Sequence, residues 1–152
     1  MSEQKFDQLL SGTVDTVLET MFFAQTLGPA EPESGTAVVE ARLAFYGRPS
    51  GTLCVCLSEA SARELAAGFL GEDEEMLKDS QPGEVVCELA NMLCGSLVSK
   101  LETEESFALG SPELVQPGSV PAPDSDAIPA AHKSFELENG IMTVTLHLDS
   151  AQ

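Results

Sequence analysis

The chain has no tryptophan, one tyrosine and seven phenylalanines among its 152 residues. Its interior must therefore be filled by aliphatic side chains and methionine. Basic residues are equally scarce: seven Lys and Arg stand against 25 Asp and Glu, a formal net charge of -18. Nucleic acid and anionic membrane are polyanions, so this surface repels both. It favours a partner that presents lysine or arginine, although most of these carboxylates need do no more than keep the chain soluble. No apolar run approaches the roughly 20 residues of a membrane span. The opening MSEQKFDQLL lacks the basic and apolar regions of a signal peptide, so a cytoplasmic protein is expected. There, the four cysteines are expected as thiols rather than disulfides.

Familiar catalytic motifs are also absent. The sequence holds no G-x-S-x-G, no P-loop and no G-x-G-x-x-G. Cys54 and Cys56, and Cys87 and Cys94, miss the C-x₂₋₄-C spacing of a zinc knuckle, and cysteine is a common small core residue. A zinc- or redox-responsive role for the four thiols is the weakest reading. His132 and His147 have no local partner spacing. No metal site is expected.

What is present is periodicity. Phe6, Leu9, Leu10, Val14, Val17, Leu18, Met21 and Phe22 recur at helical spacing, predicting a helix over 6–23. TLGPAEPESG, with two prolines and two glycines, breaks it. Residues 36–46 alternate, with Ala37, Val39, Ala41, Leu43 and Phe45 on one face, and 52–57 follow after the turn GRPSG, predicting a strand hairpin. Ser58 or Ser61 can cap a short helix to about residue 70, Ser61 having Glu64 at the capping-box offset. Asp79 or Ser80 opens a central helix to about residue 101. ESFALGSPELV predicts a short strand broken at Ser111-Pro112. Residues 116–131, with four prolines, predict an extended surface loop. Strands over 132–137 and 141–148 flank the turn Glu138-Asn139-Gly140. The order predicts an α+β fold in one domain over 1–152: a mainly antiparallel sheet packed against the long central helix and the N-terminal helix.

The central helix contains GEVVCELANMLCG, residues 83–95. Asn91 and Gly95 both lower helix stability relative to alanine, by roughly half and about one kcal/mol. At about 100° per residue, Val86, Leu89, Ala90, Leu93, Leu97 and Leu101 gather on a core face. Glu84, Glu88, Asn91 and Gly95 fall in a narrow arc opposite, at i, i+4, i+7, i+11. Asn91 is thus expected outward beside Glu88, with Gly95 leaving a gap one turn on. Met92, Val85 and Val98 flank the stripe and are expected as an apolar rim for a docked protein. A solvated face with an incidental Asn and Gly is the plain alternative. Glu84 also has a structural reason to be there, since the macrodipole favours acid in a first turn.

These residues resemble the signature helix of the CheX/CheC chemotaxis phosphatases, E-x-x-N-x-x-x-G. Glu88, Asn91 and Gly95 match; Glu84 stands where Asp or Ser is common. TVDTVLETMF, FLGEDEEM, FALGSPELVQPGS and ENGIMTVTLHL are similar to other parts of the family pattern. One signature, where CheC-type members carry two, resembles the CheX type. The resemblance implies the CheC-like fold and a homodimer joined through sheet edges. It implies a partner, a phosphorylated CheY-like response regulator, whose aspartyl phosphate is hydrolysed in chemotaxis signalling. Asn91 would orient the attacking water, Glu88 would pair with the regulator's lysine, and Glu84, Met92 and Gly95 would meet the partner. Mg²⁺ would come on the regulator, so no cofactor of the chain's own is implied. The competing reading is a non-catalytic homodimeric module that binds a receiver or a flagellar-switch protein.

Overall fold

The computed structural model describes residues 3–22, 24–30, 38–47, 50–101, 108–115 and 130–148. In chain order these form α1 (Glu3–Val17), a π-helical turn (Leu18–Phe22), β1 (Gly28–Pro29), β2 (Val38–Tyr46), β3 (Gly51–Ser58) and α2 (Glu59–Leu70). After a 3₁₀ turn (Glu74–Met76) come α3 (Gln81–Leu101), β4 (Ala108–Leu109), β5 (Glu113–Leu114), β6 (Ala131–Leu137) and β7 (Gly140–Leu148). The expected α+β architecture is present. Every strand pairing is antiparallel, in the order β1-β6-β7-β3-β2-β4, with β5 also on β2.

The strands follow their alternation. Ala41, Leu43 and Phe45 of β2, Leu53, Val55 and Leu57 of β3, and Met142, Val144 and Leu146 of β7 are all buried under the helices. Arg42, Cys54, Thr145 and His132 align across β2, β3, β7 and β6 on the opposite face. That face is tied by polar contacts: Arg42 Nε donates to Glu40 at 2.9 Å, and Ser134 and Thr143 hydroxyls lie 2.8 Å apart.

Several expectations change in detail. The N-terminal helix is α-helical only to Val17; a π turn then carries Leu18 and Phe22 into the core, and residue 23 lies outside the described residues. A longer i→i+5 turn rotates the following side chains relative to an α-helix, which apolar spacing alone does not signal. TLGPAEPESG is not all loop, since Gly28 and Pro29 pair with Glu136 and Phe135 as β1. Ser58, not Ser61, caps α2, its hydroxyl accepting from Ser61 N–H at 3.1 Å; such a cap stabilises a helix by about 1 kcal/mol. The proline-rich stretch 116–129 lies outside the described residues, and β6 begins one residue earlier than expected, at Ala131.

α3 is the central spine. Val86, Leu89, Ala90, Leu93 and Leu97 are fully buried; each large side chain is worth roughly 1.5–3 kcal/mol of burial. The helix packs on β2, β3, α1 and α2. Near its end, Lys100 Nζ donates to the buried Thr13 hydroxyl of α1 at 2.8 Å, joining the two helices. This anchoring on one side fixes which arc of α3 faces outward.

Candidate functional site on the outer face of α3

Glu84 and Glu88 are exposed, and Asn91, Met92 and Gly95 are half-buried. The expected stripe is therefore outward as a unit. At a rise of about 1.5 Å per residue, Asn91 sits roughly 4.5 Å along the axis from Glu88, and the whole stripe spans roughly 16 Å. Among the described residues, no side-chain hydrogen bond or ion pair occupies the Glu84 or Glu88 carboxylates or the Asn91 amide. All three polar groups are available to a second molecule.

Two members of the expected rim fall elsewhere. Val85 and Val98 are 4% and 6% exposed and belong to the core. The cause is that α3 is flanked on both sides, by α1 and α2 and by the segment carrying β4 and β5, so residues at wide angles are covered. Met92 is partly buried against the core as well, leaving only part of its side chain at the surface.

The two glycines of the segment differ in what they face. A Cβ on Gly83 would meet Leu114 Cδ1 at 2.7 Å, so alanine there forces Leu114 to shift. A Cβ on Gly95 would lie 3.7 Å from Leu109 Cδ1, an ordinary contact. Internal packing thus crowds Gly83, though only through a side-chain tip that can rotate away, and leaves Gly95 without an internal reason. Leu109 and Leu114 are 37% and 42% exposed and lie near the two ends of the stripe, at Gly95 and Gly83. Sequence reading missed them, because their strands are two residues long and nothing in FALGSPELV says which element they lie against.

The thiols report the local electrostatics. Burial pushes the Cys87 thiol up, and the neighbouring Glu88 and Glu84 carboxylates push it further. Burial alone pushes Cys94 up to about 12. On the sheet, burial raises Cys54 to about 11, with Arg42 partly offsetting it, and burial followed by Glu40 raises Cys56. Metal binding and nucleophilic attack both need the thiolate, so these cysteines stay protonated core and sheet residues at neutral pH. Among the described residues, no group of three or more His, Cys, Asp or Glu is placed to hold a metal ion. No helix there is long and apolar enough to cross a membrane.

The stripe is acidic, outward and uncommitted, with one amide that can both donate and accept. It suits a basic partner carrying a polar group or water for Asn91 to orient. Comparisons with known proteins bear on the family and the fold. The family model described as "Chemotaxis phosphatase CheX" matches residues 39–135. No curated protein is significantly similar in sequence. The fold is similar to that of the chemotaxis protein CheX of Vibrio vulnificus, with a TM-score of 0.77 and 19% identity, covering 98% of this chain and 99% of that one. A putative chemotaxis protein of Desulfovibrio vulgaris Hildenborough gives 0.72 and 22% identity, covering 95% and 97%. The CheX–CheY–BeF₃–Mg²⁺ complex of Borrelia burgdorferi gives 0.72 and 18%, covering 94% and 97%.

Proposed function

The chain belongs to the CheX chemotaxis phosphatase family, and from that premise we propose that it hydrolyses the aspartyl phosphate of a CheY-like response regulator. The observation that carries this reading is the pairing of exposed Glu88 with half-buried Asn91 one turn apart on α3, both free of side-chain partners among the described residues. The Borrelia relative, seen with a BeF₃- and Mg²⁺-bearing CheY, supports the choice of partner.

An aspartyl phosphate is an acyl phosphate with a good leaving group. Its hydrolysis needs a positioned water more than a strong base. The water oxygen attacks phosphorus in line, the bond between phosphorus and the aspartate oxygen breaks, and the products are a free carboxylate and inorganic phosphate. Asn91 hydrogen-bonds the water with one end of its amide and the phosphoryl group with the other. Glu88 accepts from the regulator's lysine, a charge-assisted contact that fixes the approach. Glu84 adds negative charge at the same face, and Met92 and Gly95 lie where the partner's surface passes. Mg²⁺ travels with the regulator.

We assign the chain to a homodimer joined through sheet edges. Support comes from the edges themselves: among the described residues β1 and Ala30 cover the outer side of β6 from Ser134 to Glu136, and no described strand pairs with Ala131–Lys133 on that side, where a second chain could add a strand. Light scattering at micromolar concentration is expected to give twice the chain mass; the chain mass itself would contradict the assignment. For the activity, the test is phosphate loss from a phosphorylated CheY-like receiver with and without the protein. Binding without faster loss would favour the non-catalytic module instead.

A further inference from the structure

We infer that Leu109 and Leu114 form an apolar docking ledge for the receiver, set beside the Glu84–Glu88–Asn91 stripe; the inference rests on the proposed function. β4 and β5 both pair onto the edge of β2, at Phe45–Tyr46 and Ala41–Arg42. Backbone bonds from Gly110 N–H to Ala44 C=O at 2.7 Å and from Val115 N–H to Glu40 C=O at 2.9 Å complete the attachment. The segment is therefore held on the sheet, not hung from it. From there Leu109 reaches Gly95 and Leu114 reaches Gly83. These glycines are about 18 Å apart along the helix axis, and Glu84, Glu88 and Asn91 all lie between them in sequence.

One exposed leucine on a protein surface needs no explanation. Two leucines more than a third exposed, Leu114 against Gly83 and Leu109 near Gly95, border the polar stripe at its two ends. The Gly83 contact is close enough that the helix position admits no larger residue without moving Leu114. A receiver that brings its lysine to Glu88 and its phosphoryl group to Asn91 has to pass over this border. Interfaces gain most from apolar anchors that exclude water around a few polar contacts. The leucines supply the apolar area, and water excluded there strengthens the contact between Glu88 and lysine. Charge complementarity selects the same occupant: the stripe presents two carboxylates and no base, so the apolar patch on the partner must lie next to a basic group.

Three measurements test this, using the full chain and a CheY-like receiver activated with beryllofluoride. Calorimetry on the double variant Leu109→Ser/Leu114→Ser is expected to give at least a tenfold weaker Kd. Saturating phosphate release should stay within twofold of wild type, because neither leucine touches the reacting atoms. Leu109→Met/Leu114→Met should bind within twofold of wild type. Hydrogen exchange on the unaltered protein covers the case of a serine variant that does not fold: amides of 108–115 should slow when receiver is added. A Kd within twofold for a folded serine variant, a fall in turnover at unchanged Kd, or no slowing at 108–115 overturns the ledge. Wild-type binding without hydrolysis defeats the catalytic reading and leaves the ledge standing. Hydrolysis with unaffected variants does the reverse, and no wild-type binding at all defeats both.

Discussion

Gly95 of α3 faces Leu109 of β4, whose Cδ1 lies 3.7 Å from where an alanine Cβ would sit. Space for a methyl group exists, yet the helix carries glycine at a cost of about 1 kcal/mol. On the proposed function, a partner surface passing over this position would supply the missing reason. Gly95→Ala is expected to raise stability by up to about 1 kcal/mol in urea unfolding and to weaken receiver binding. Equal affinity in the alanine variant would remove Gly95 from the site.

Gly68 shows the opposite relationship. A Cβ there would meet the Phe22 carbonyl oxygen at 2.6 Å, where the π turn lies against α2 and the Phe22 and Phe69 rings stack at 4.9 Å. Gly68→Ala should therefore destabilise by about 1–3 kcal/mol despite alanine's better helix propensity. Gly12, exposed in α1 with nothing near its Cβ position, should gain about 0.5–1 kcal/mol on the same change. Thermal melts of the two variants should move in opposite directions.

If Glu88 pairs with the regulator's lysine as proposed, Glu88→Lys would set like charge against it. Association should slow several-fold and its dependence on salt should flatten. Stopped-flow binding at two ionic strengths reads both. Glu84→Lys should act in the same sense more weakly, since Glu84 lies a full turn further from Asn91. Unchanged association in Glu88→Lys would deny that residue its docking role.

The buried thiols set a pH dependence. Cys94 is raised from 9.0 to about 12 and Cys54 from 9.0 to about 11. Both groups are neutral in the fold while the unfolded chain begins to ionise above pH 9. Their contribution is full below about pH 9 and is lost as pH rises through the folded values. Urea midpoints should fall between pH 8 and pH 11, less steeply in Cys94→Val. Native protein at pH 8 should react with a maleimide far more slowly than unfolded protein.

Much of this site was legible in the sequence because its defining feature is local. A 3.6-residue period places Glu84, Glu88, Asn91 and Gly95 on one arc whatever the rest of the chain does, and the buried Val86, Leu89, Leu93 and Leu97 leave that arc one way to face. The β2–β3 and β6–β7 pairings were legible for the same reason, alternation being a local property. Contacts between distant segments were not. Val85 and Val98 read as rim because periodicity gives an angle and not a neighbour, and the segments flanking α3 cover both. Leu109 and Leu114 read as part of a broken strand, because their seats on Gly95 and Gly83 exist only once β4 and β5 are laid on β2. The π turn at Leu18–Phe22 preserves apolar spacing closely enough to pass for α-helix.

Asn91 carries the proposed activity. The direct measurement is the decay of a phosphorylated CheY-like receiver with wild-type protein, with Asn91→Ala and alone, alongside the affinity of both proteins for the beryllofluoride-activated receiver. Wild type is expected to accelerate phosphate loss, and Asn91→Ala to lose about a hundredfold or more of that acceleration while binding within a few-fold of wild type. Decay equally fast with Asn91→Ala, or no acceleration by wild type, would contradict the assignment of this helix face as the place where the water is held.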